Sequence, residues 1–506
     1  MATEIENKYQ VPADFSVDDR LAVDGVRLGE PQRHELSATY YDTADLRLAA
    51  DNVALRRRTG GHDAGWHVKR YRGPGERDEV QLPAGRGGSI PAAVNAEVRA
   101  ISRGEALRPA VRMITRRTEW PLLAEDGAVL ALVADDEVST ELIADPAAAQ
   151  HWRELEVELV DGDRALLRAV DKRLRKAGVA RSADPAKIVR ALDGRWPDPP
   201  APAGPPGSAA AVIGEYVRAQ RDAIVEYDPR VRRDEPDAVH KMRVATRRLR
   251  STMKSYRPLW DRDATDHLRA ELKWLADVLG KVRDAEVMAA RLGRALGELP
   301  PEQVVGPVAN RLTGGLRAQG TKDHQALVSA LNGRRYAVLL DELDALLAAA
   351  PTEKGLRPAR KFIPRRVRRT VGTVEQLLDT AEHGSAGGPP LPGVLDRDTA
   401  LHEARKAAKQ ARYAAEAAVP VGGSGATALA AAMEELQELL GDHHDSVVTR
   451  QLLRTAGMQA HGAGENGFTY GMLSAAETAA AQDIEARLPA ARKALRRKKV
   501  VGWLDR

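Results

Sequence analysis

Apolar and polar positions alternate in two different ways along this chain. In the first part, short segments alternate with a period of two, which predicts half-buried β-strands, and in the later part apolar residues recur every three or four positions, which predicts amphipathic helices. The predicted strands are Glu4–Lys8, Ala54–Arg58, Trp66–Lys69 and Glu154–Glu158, with turns predicted at Thr59–Gly61 and Asp161–Gly162. The predicted helices include Ala219–Val225, Leu268–Leu279, Tyr336–Leu347 and Met433–Leu440.

A segment rich in proline and glycine, Trp196–Ala211, separates these two patterns. Proline removes backbone donors and both residue types disfavour regular structure, so the segment predicts an exposed linker. The predicted order is therefore an α+β domain, a linker and an all-α domain, over residues 1–195, 196–211 and 212–506.

Composition and charge narrow the function classes. The chain has 506 residues, 43% of them hydrophobic, and no cysteine, which excludes disulfide scaffolds, thiolate metal sites and cysteine nucleophiles. No run of about 18 apolar residues is present, and the N-terminus lacks a signal-peptide pattern, so we expect a cytoplasmic protein without a membrane partner. Residues 1–200 carry 30 basic and 34 acidic side chains, whereas residues 201–506 carry 47 and 38, so a polyanion is expected to bind the second part.

Charged side chains share a face on the predicted strands. With a period of two, Glu4, Glu6 and Lys8 lie on one face of their strand. The same spacing joins three further groups: Glu154, Glu156 and Glu158; Arg56 and Arg58; and His67 and Lys69. A charged strand face ordinarily lies in solvent, but four such strands of mixed sign in one domain indicate a charged interior if they curve into a barrel.

Such an interior suits a metal ion and a chain of phosphates. Carboxylates from two strands suit a hard divalent cation, Mg²⁺ or Mn²⁺, and arginine and lysine opposite them suit phosphate oxygens. Together they stabilise the charge on a transferring phosphoryl group. No P-loop competes with this interpretation, because the nearest approach, Gly315–Lys322, has threonine before its lysine and no strand leading into it.

Motifs in the first domain carry a resemblance to a known family. Glu4-x-Glu6-x-Lys8 resembles the ExExK signature of the CYTH family, the triphosphate tunnel metalloenzymes, and Thr39–Arg70 resembles the block that follows it there. The late Glu-x-Glu strand and the segment that ends at Lys187 are similar to the family's C-terminal part. The resemblance covers about residues 1–195. It implies an eight-stranded antiparallel β-tunnel, a barrel with flanking helices, that binds a triphosphate and one or two Mg²⁺ or Mn²⁺ ions.

The resemblance also implies roles for individual residues. The implied metal ligands are Glu4, Glu6, Asp136, Glu156 and Glu158, with Asp135 as the alternative to Asp136. The implied triphosphate-binding residues are Lys8, Arg56, Arg58, Lys69, Arg112, Arg117 and Lys187, and of these Lys8 and Lys187 are the candidate catalytic residues. Lys187, or a carboxylate that holds no metal, would assist proton transfer. Many family members carry a further acidic residue where this chain has Leu132, which bears on a second metal site and on the rate.

A basic stripe occurs twice in the helical part. Its members lie at helical spacings of 0, 3, 7 and 10, first as His240, Arg243, Arg247 and Arg250, then 162 residues later as His402, Arg405, Lys409 and Arg412. Leu279–Asp284 matches Leu440–Asp445 at an offset of 161, so an internal duplication is the economical explanation. A Gly/Pro-rich stretch at 383–394 divides the predicted repeats, about 212–350 and about 390–506.

Cations stacked at helical spacing repel one another, so an anion is their natural partner. This part resembles the CHAD family, the conserved-histidine α-helical domains, over about residues 208–506, through HKMRVATRRLR, LKWLADVLGKVRDAEV, LHEARKAAKQARYAAE and LQELLGDHHDSVV. The resemblance implies duplicated helical hairpins, or four-helix bundles, around a basic groove that binds inorganic polyphosphate. The implied binding residues are the two stripes together with Arg365 and Arg369. His443-His444-Asp445 lacks the second cluster that a metal-dependent phosphohydrolase needs.

Three functions follow from these observations. The first is a divalent-metal-dependent triphosphatase that hydrolyses inorganic triphosphate and carries a tethered polyphosphate-binding domain. The second is a non-catalytic polyphosphate-binding or targeting protein with a weak tunnel, and the third is an adenylate cyclase, an activity that the CYTH name also covers. Polyphosphate granules are a candidate location within the cytoplasm. No aromatic residues are interleaved with the basic stripes, which disfavours nucleic acid as a partner.

Overall fold

The structure is a computed structural model. It describes residues 2–12, 15–17, 21, 23, 25–73, 75–85, 89–184, 186–198, 201–383 and 397–505. The chain forms two compact units, 1–199 and 200–506, and the division between them falls within the segment predicted as a linker.

The first unit is a barrel of antiparallel strands. Its described strands are β1 (Ala2–Gln10), β2 (Arg27–Leu28), β3 (Gln32–Asp42), β4 (Val53–Thr59), β5 (Gly65–Gly73), β6 (Glu76–Leu82), β7 (Arg108–Leu123), β8 (Val129–Leu142), β9 (Asp145–Leu159) and β10 (Ala180–Arg181). Among these, eight long strands follow in the order β1-β6-β5-β4-β3-β7-β8-β9, and β9 pairs again with β1, which closes the barrel. The short strands β2 and β10 pair with β7 and β1.

Helices cover the outside of the barrel and fill one part of its interior. The described helices of this unit are α1 (Arg47–Ala50), α2 (Ala92–Ser102), α3 (Arg164–Lys176) and α4 (Lys187–Ala191). Helix α3 begins at Asp163, whose carboxylate accepts the amide hydrogen of Ala165 at 2.9 Å. The apolar face of α3, which includes Val170 and Leu174, packs against the outward side chains of β1, β8 and β9.

Helix α4 packs inside the barrel. Its Ile188 and Ala191 join a buried apolar cluster with Val111 of β7 and Val138 of β8. Burial of this short apolar face fixes the helix where its first residue, Lys187, faces the remaining interior space.

Strand alternation gives the barrel two chemically different surfaces. On β1, Glu6 and Lys8 point inward, whereas Tyr9 packs outward in the apolar cluster beneath α3. The connection from β4 to β5 depends on Gly60, which has a φ of +80°, and a Cβ atom at this position would collide with the carbonyl oxygen of Glu35. This turn places Arg58 and the residues after it at the edge of the interior.

The second unit is helical. Its described helices are α5 (Ala209–Arg232), α6 (Ala238–Ser255), α7 (Arg262–Gly297), α8 (Gly315–Asn332), α9 (Arg334–Ala348), α10 (Ala359–His383), α11 (Arg397–Ala417), α12 (Val419–Gly462), α13 (Phe468–Leu495) and α14 (Lys498–Val501). Helix α12 is broken near its start at Gly423, which has a φ of 54° and a ψ of −137°. None of the described helices combines the length and the apolar content that crossing a membrane requires.

The helices pack in two similar series. In the first, α5, α6, α7 and α8 each pack against the next, and in the second, α10, α11, α12 and α13 do the same. The two series meet where α6 packs against α11 and α5 packs against α10. This order is the one that an internal duplication would produce.

The predicted elements agree with this architecture. Each of the four predicted strands lies within a barrel strand, and each of the four predicted helices lies within a helix of the second unit. The predicted fold class, an eight-stranded antiparallel barrel followed by a helical domain, is confirmed. The Gly/Pro-rich stretch at 383–394 lies, after its first residue, outside the described residues.

Candidate active site and polyanion groove

The barrel encloses a cavity of about 280 Å³ that all eight long strands line. Predicted site residues of both charges meet there. They are Glu4, Glu6, Lys8, Arg56, Arg58, Lys69, Arg117, Glu156, Glu158 and Lys187. Side chains that are up to 183 positions apart in the chain, such as Glu4 and Lys187, therefore share one enclosed space.

Asp136 lies in the wall of this cavity and is completely buried. Register places it opposite Arg117, whose guanidinium donates hydrogen bonds of 2.8 and 2.7 Å to the two carboxylate oxygens. The Nζ atom of Lys187 lies 2.8 Å from Oδ2 of the same carboxylate. Burial alone would raise the pKa of Asp136, but the charges of Arg117 and Lys187 outweigh it and hold that pKa well below its usual range.

Lys187 contacts three carboxylates at once. Besides Asp136, its Nζ atom lies 2.9 Å from Oε1 of Glu154 and 2.6 Å from Oε1 of Glu156. Arg117 reaches the other oxygen of Glu156 at 2.8 Å. Buried Glu154 also accepts a hydrogen bond of 2.6 Å from the indole of Trp152, and its pKa is about 2, because Lys187 and Lys8 outweigh the effect of burial.

Lys8 lies beside the same group of carboxylates. Its Nζ atom contacts Glu156 and lies 3.1 Å from Oε1 of Glu6. Strand register explains this contact, since β1 and β9 pair Lys8 directly with Glu156. Burial, followed by the charge of Lys187, lowers the pKa of Lys8 to about 7.

The other side of the cavity is built around Glu4. Its carboxylate lies 2.8 Å from Nζ of Lys69 and 2.9 Å from Nε of Arg77. Arg77 also contacts Glu6, and Lys69 lies 3.2 Å from Glu79. Burial, together with the neighbouring Glu79, raises the pKa of Glu4.

Arg56 is the cavity cation that keeps a free donor. Its guanidinium is hydrogen-bonded to Tyr40, and the arginine charge lowers the pKa of that phenol despite its burial. The Nε atom of Arg56 is buried and has no hydrogen-bond partner among the described residues. Arg58, two positions along the same strand, donates to Asp63 at 2.6 Å. An unpartnered guanidinium donor in an enclosed cavity suits an anionic oxygen.

The carboxylates of the cavity have the chemistry of a hard-cation site, although basic side chains hold most of them. Among the described residues, no three acidic or histidine side chains are grouped as ligands of one metal ion. Glu6 and Glu158 are direct register partners on β1 and β9, and Glu158 has no ion pair or hydrogen bond in the described part of the chain. Oxygen donors of this kind fit Mg²⁺ or Mn²⁺. Leu132 of β8 is the register partner of Glu158 of β9, so the side chain next to Glu6 and Glu158 across the strands is apolar.

Two positions that the sequence left uncertain are resolved by strand faces. Arg112 was predicted as a triphosphate-binding residue, but this is wrong as a cavity position, because its side chain is 62% exposed and lies 3.4 Å from Glu141. It is five positions from Arg117 on β7, and an odd separation places two residues on opposite faces of a strand. Asp135 likewise faces away from the cavity and pairs with Arg153 at 2.6 Å, so Asp136 is the inward aspartate.

Several residues of the ion-pair network were not among the predicted site residues, and three of them contact Glu4, Lys69 or Lys187 directly. They are Arg77, Glu79 and Glu154. Glu154 shares the strand face of Glu156 and Glu158, so the period of two was the available signal. Arg77 and Glu79 alternate in the same way on β6, but that segment is rich in charge on both faces, and its pattern does not show which face is buried.

In the helical unit, one set of contacts occurs twice. Arg243 of α6 lies 3.1 Å from Asp284 of α7, and Arg405 of α11 lies 3.9 Å from Asp445 of α12. In each case the arginine passes over a glycine. A Cβ atom on Gly280 would lie 3.5 Å from the Arg243 guanidinium, and one on Gly441 would lie 3.6 Å from that of Arg405. The arginine positions repeat at an offset of 162 residues, and the glycine and aspartate positions repeat at an offset of 161 residues.

The two basic stripes approach each other at Lys409. Burial, followed by the charges of Arg247, Arg405 and Arg243, lowers the pKa of Lys409 to about 7, and Asp445 opposes this only in part. Arg247 is hydrogen-bonded to Tyr413 of α11, a residue that the sequence did not indicate. The stripes of α6 and α11 therefore meet in one cluster of basic side chains, here called the polyanion groove, in which cations face cations.

The stripe histidines differ in their neighbours. The His402 ring packs against His444, with 4.5 Å between ring centroids, whereas the charge of Arg283 acts on His240. Burial and adjacent cations lower the pKa of all three histidines. His443 is buried and bonds Glu485 at 3.0 Å, so the His-His-Asp motif is divided between a structural contact and the groove.

The remaining predicted groove residues take different positions. Arg412 pairs with Glu416 at 2.9 Å and with Glu434 at 2.7 Å, and Arg250 lies on the stripe face of α6. Arg369 lines a smaller cavity of about 150 Å³ with Lys254. Arg365 is exposed on α10, and no contact within the described residues joins it to either stripe.

Comparisons with known proteins agree with these two units. The model of the CYTH domain family matches residues 2–192, and that of the CHAD domain family matches residues 215–454. The uncharacterised proteins Rv2226 and MT2285, from two strains of Mycobacterium tuberculosis, are each 36% identical to this chain over 517 residues. Each match covers 97% of this chain and 96% of the relative.

Solved structures cover parts of this chain. PptA from Streptomyces chartreusis has 20% identity and a TM-score of 0.47, covering 56% of this chain and 99% of its own. The CHAD domain from the plant Ricinus communis has 24% identity and a TM-score of 0.43, covering 59% and 98%. HpAC1 from Hippeastrum, an adenylyl cyclase candidate described with a dominant triphosphatase activity, has 15% identity and a TM-score of 0.24, covering 38% and 96%.

Proposed function

Because this chain belongs to the proteins in which a CYTH domain precedes a CHAD domain, we propose that it is a divalent-metal-dependent triphosphatase that also binds polyphosphate. The proposed substrate is inorganic triphosphate, and the proposed location is the cytoplasm, at polyphosphate granules where these are present. The observation that carries the proposal is the barrel cavity, in which acidic and basic side chains from β1, β4, β5, β6, β7 and β9 converge with Lys187 of α4.

The carboxylates on one side of the cavity would hold the metal. Glu6 and Glu158 are the best placed, because they are register partners and Glu158 has no ion pair or hydrogen bond within the described residues. Glu4 lies two positions away on the same face of β1. Such a divalent cation supplies charge stabilisation to a phosphoryl group during transfer. Asp136 and Glu156, which were also predicted as ligands, are bound to Arg117 and Lys187 and would orient these two cations.

The basic side chains would bind the phosphate chain. Arg56 offers its unpartnered Nε atom, and Arg117 and Lys69 would exchange carboxylate oxygens for phosphate oxygens. Lys8 and Lys187 contact the same carboxylate, that of Glu156, so both ammonium groups would lie beside the reacting phosphate. A carboxylate that holds no metal would take the proton of the attacking water, and the Lys187 ammonium would assist this transfer as a hydrogen-bond donor.

Phosphate release from inorganic triphosphate tests this proposal, with and without Mg²⁺ or Mn²⁺. We expect metal-dependent release by the wild type and a loss of about 100-fold or more in Glu6→Gln and Arg117→Gln. Arg112→Gln is the matched control, since it removes an arginine from the outer face of the same strand. ATP should be included as a second substrate, with cyclic AMP measured beside phosphate. No release from either substrate by folded wild type would contradict the enzyme proposal, and cyclic AMP as the main product would favour a cyclase.

Polyphosphate binding is the second part of the proposal, and the polyanion groove supports it. The groove collects Arg243, Arg247, Arg405 and Lys409, and among the described residues Asp284 and Asp445 pair with the first and third of these. A polyanion would neutralise these cations and remove their mutual repulsion. If the barrel proves inactive while polyphosphate still binds, the chain is a binding or targeting protein, and the apolar Leu132 beside Glu158 is a physical reason for a weak tunnel.

A further inference from the structure

A groove between α12 and α13 has no role in the proposed function. It encloses about 740 Å³, and most of its lining lies beyond residue 454, where the match to the CHAD family ends. Side chains at helical spacing form its two walls. They are Arg450, Arg454 and His461 on α12, and Tyr470, Ser474 and Thr478 on α13.

The cations of this groove lack counter-charges. No carboxylate is among the lining residues that the structure describes. The nearby Glu477 is held by Arg291 at 2.9 and 2.6 Å. In the described part of the chain, neither Arg450 nor Arg454 has a side-chain hydrogen bond or ion pair, and the Nε atom of Arg450 is buried. The groove therefore offers positive charge that the protein itself does not neutralise.

A buried tyrosine and apolar side chains form part of the groove wall. Tyr470 is only 3% exposed, and within the described residues its hydroxyl has no hydrogen-bond partner. The charged groups that act on this hydroxyl are Arg311 and Glu465. Next to it, buried Leu453 and the 69% exposed Met458 provide apolar surface. Methionine adapts its shape to varied apolar partners.

We propose that this groove binds a small organic anion, meaning a carboxylate, sulfonate or phosphate monoester attached to an apolar body. The guanidinium groups of Arg450 and Arg454 bind the anionic group. Leu453 and Met458 contact the apolar body. An inorganic phosphate chain would leave this apolar surface in water, so the groove differs in ligand class from the polyanion groove.

Two variants disturb the groove without removing core packing. Gly471 lines it, and a Cβ atom there would meet nothing within 4 Å, so Gly471→Leu fills the groove while raising helix propensity. The matched control is Gly372→Leu, an exposed helical glycine on α10 that also has nothing within 4 Å. Arg450→Gln removes the buried donor, and Arg487→Gln removes an exposed arginine of α13 outside the groove.

The probe is 8-anilinonaphthalene-1-sulfonate, a sulfonate on an aromatic body, titrated by fluorescence into the full chain saturated with polyphosphate. We expect one bound probe in the wild type, at least about fivefold weaker binding in Gly471→Leu and Arg450→Gln, and unchanged binding in both controls. Equal binding in all variants, or displacement of the probe by inorganic phosphate, would overturn the proposal. A wild-type dimer in sedimentation that Gly471→Leu dissociates would also overturn it, because the groove would then be an interface between two copies.

Discussion

The barrel cavity and the polyanion groove both contain lysine and arginine side chains. In the cavity these cations have carboxylates as neighbours, whereas in the groove their neighbours are mainly other cations. In the cavity, Lys187 lies within 2.9 Å of oxygens from three carboxylates. In the groove, burial and then the charges of three arginines lower the pKa of Lys409 to about 7. Neighbouring charges therefore attract the ammonium group of Lys187 and repel that of Lys409.

This difference indicates how each site would accept an anion. In the cavity, the carboxylates already balance the cations, so a triphosphate has to displace them, and a divalent cation would take over the released carboxylates. In the groove, a polyanion supplies charge that the fold lacks, and its entry relieves repulsion. The cavity is thus suited to a substrate that arrives with a metal ion, and the groove to a metal-free polyanion.

The largest expected effect is on the stability of the barrel. Asp136→Asn removes one of the two carboxylates that Arg117 and Lys187 share, the fully buried one, and leaves them only Glu156 in common, so we expect a loss of about 3–5 kcal/mol. The measurement is denaturant unfolding of the full chain, followed by a barrel tryptophan signal. Glu141→Gln, on the exposed end of the same strand, is the control and should change stability by less than about 0.5 kcal/mol. Equal losses of stability in the two variants would contradict the interpretation that Asp136 balances the charges of Arg117 and Lys187.

Acid should weaken the same network. The pKa values of Asp136 and Glu154 are lowered in the folded chain, so the folded state binds fewer protons than the unfolded state at mildly acidic pH. Stability from these groups is present above the ordinary carboxylate pKa of about 4, and it is lost as the pH falls toward 2. Unfolding midpoints between pH 5 and pH 3 should show this loss in the wild type and a smaller loss in Asp136→Asn.

The next effect concerns the affinity of the groove for polyphosphate. Arg247→Gln and Lys409→Gln each remove a cation from the place where the stripes meet, and we expect about tenfold weaker binding. Arg365→Gln, an exposed arginine of α10 without a described contact to either stripe, is the control and should change affinity by less than about twofold. Polarisation of labelled polyphosphate measures this at two salt concentrations. A loss of the same size in Arg365→Gln would extend the groove to α10.

A smaller effect, of opposite sign to that in the barrel, is expected on groove stability. Lys409→Met removes a repelled charge and should stabilise the chain by about 0.5–1 kcal/mol near pH 6. The lysine pKa is lower in the folded than in the unfolded state, so wild-type stability rises with pH between about 7 and 10, and the advantage of the variant shrinks over this range. Thermal unfolding followed by helical circular dichroism measures both trends. A destabilised variant would show that Lys409 is held by attraction.

The smallest effect is the pH dependence of polyphosphate binding. Burial and nearby cations lower the pKa of His402 and His444, so both are mainly neutral at pH 7 and charge more readily once an anion is bound. Binding should tighten about threefold as the pH falls from 7.5 to 5.5. The double variant His402→Asn with His444→Asn should flatten this profile, while variation of His267, an exposed histidine paired with Glu342, should not.

Much of the candidate site in the barrel could be predicted from the spacing of charged residues along the chain. A period of two placed Glu4, Glu6 and Lys8 on one face, and the structure brings that face into the cavity. The same rule would have added Glu154. It also would have separated Arg112 from Arg117, but only once both were known to lie on one uninterrupted strand, and the sequence did not give the bounds of β7.

The pairing of strands that lie far apart in the sequence could not be predicted from this spacing. The contact of Lys8 with Glu156 depends on the register of β1 against β9, which lie about 150 positions apart. The choice of Asp136 over Asp135 depends on which face of β8 turns inward. Strand register is set by the packing of whole faces, so a local pattern limits the alternatives without selecting one.

The sequence by itself determined the two-part division, the element types, the repeated stripes and the residue types of both sites, because each follows from local periodicity and composition. Only the tertiary structure decided which charges meet. The fold places Lys187 beside three carboxylates and Lys409 beside three arginines. Both residues are lysines in segments rich in charge, so the sequence alone does not distinguish their surroundings. Coulomb energy and desolvation depend on distance and burial in three dimensions, and neither quantity is contained in spacing along the chain.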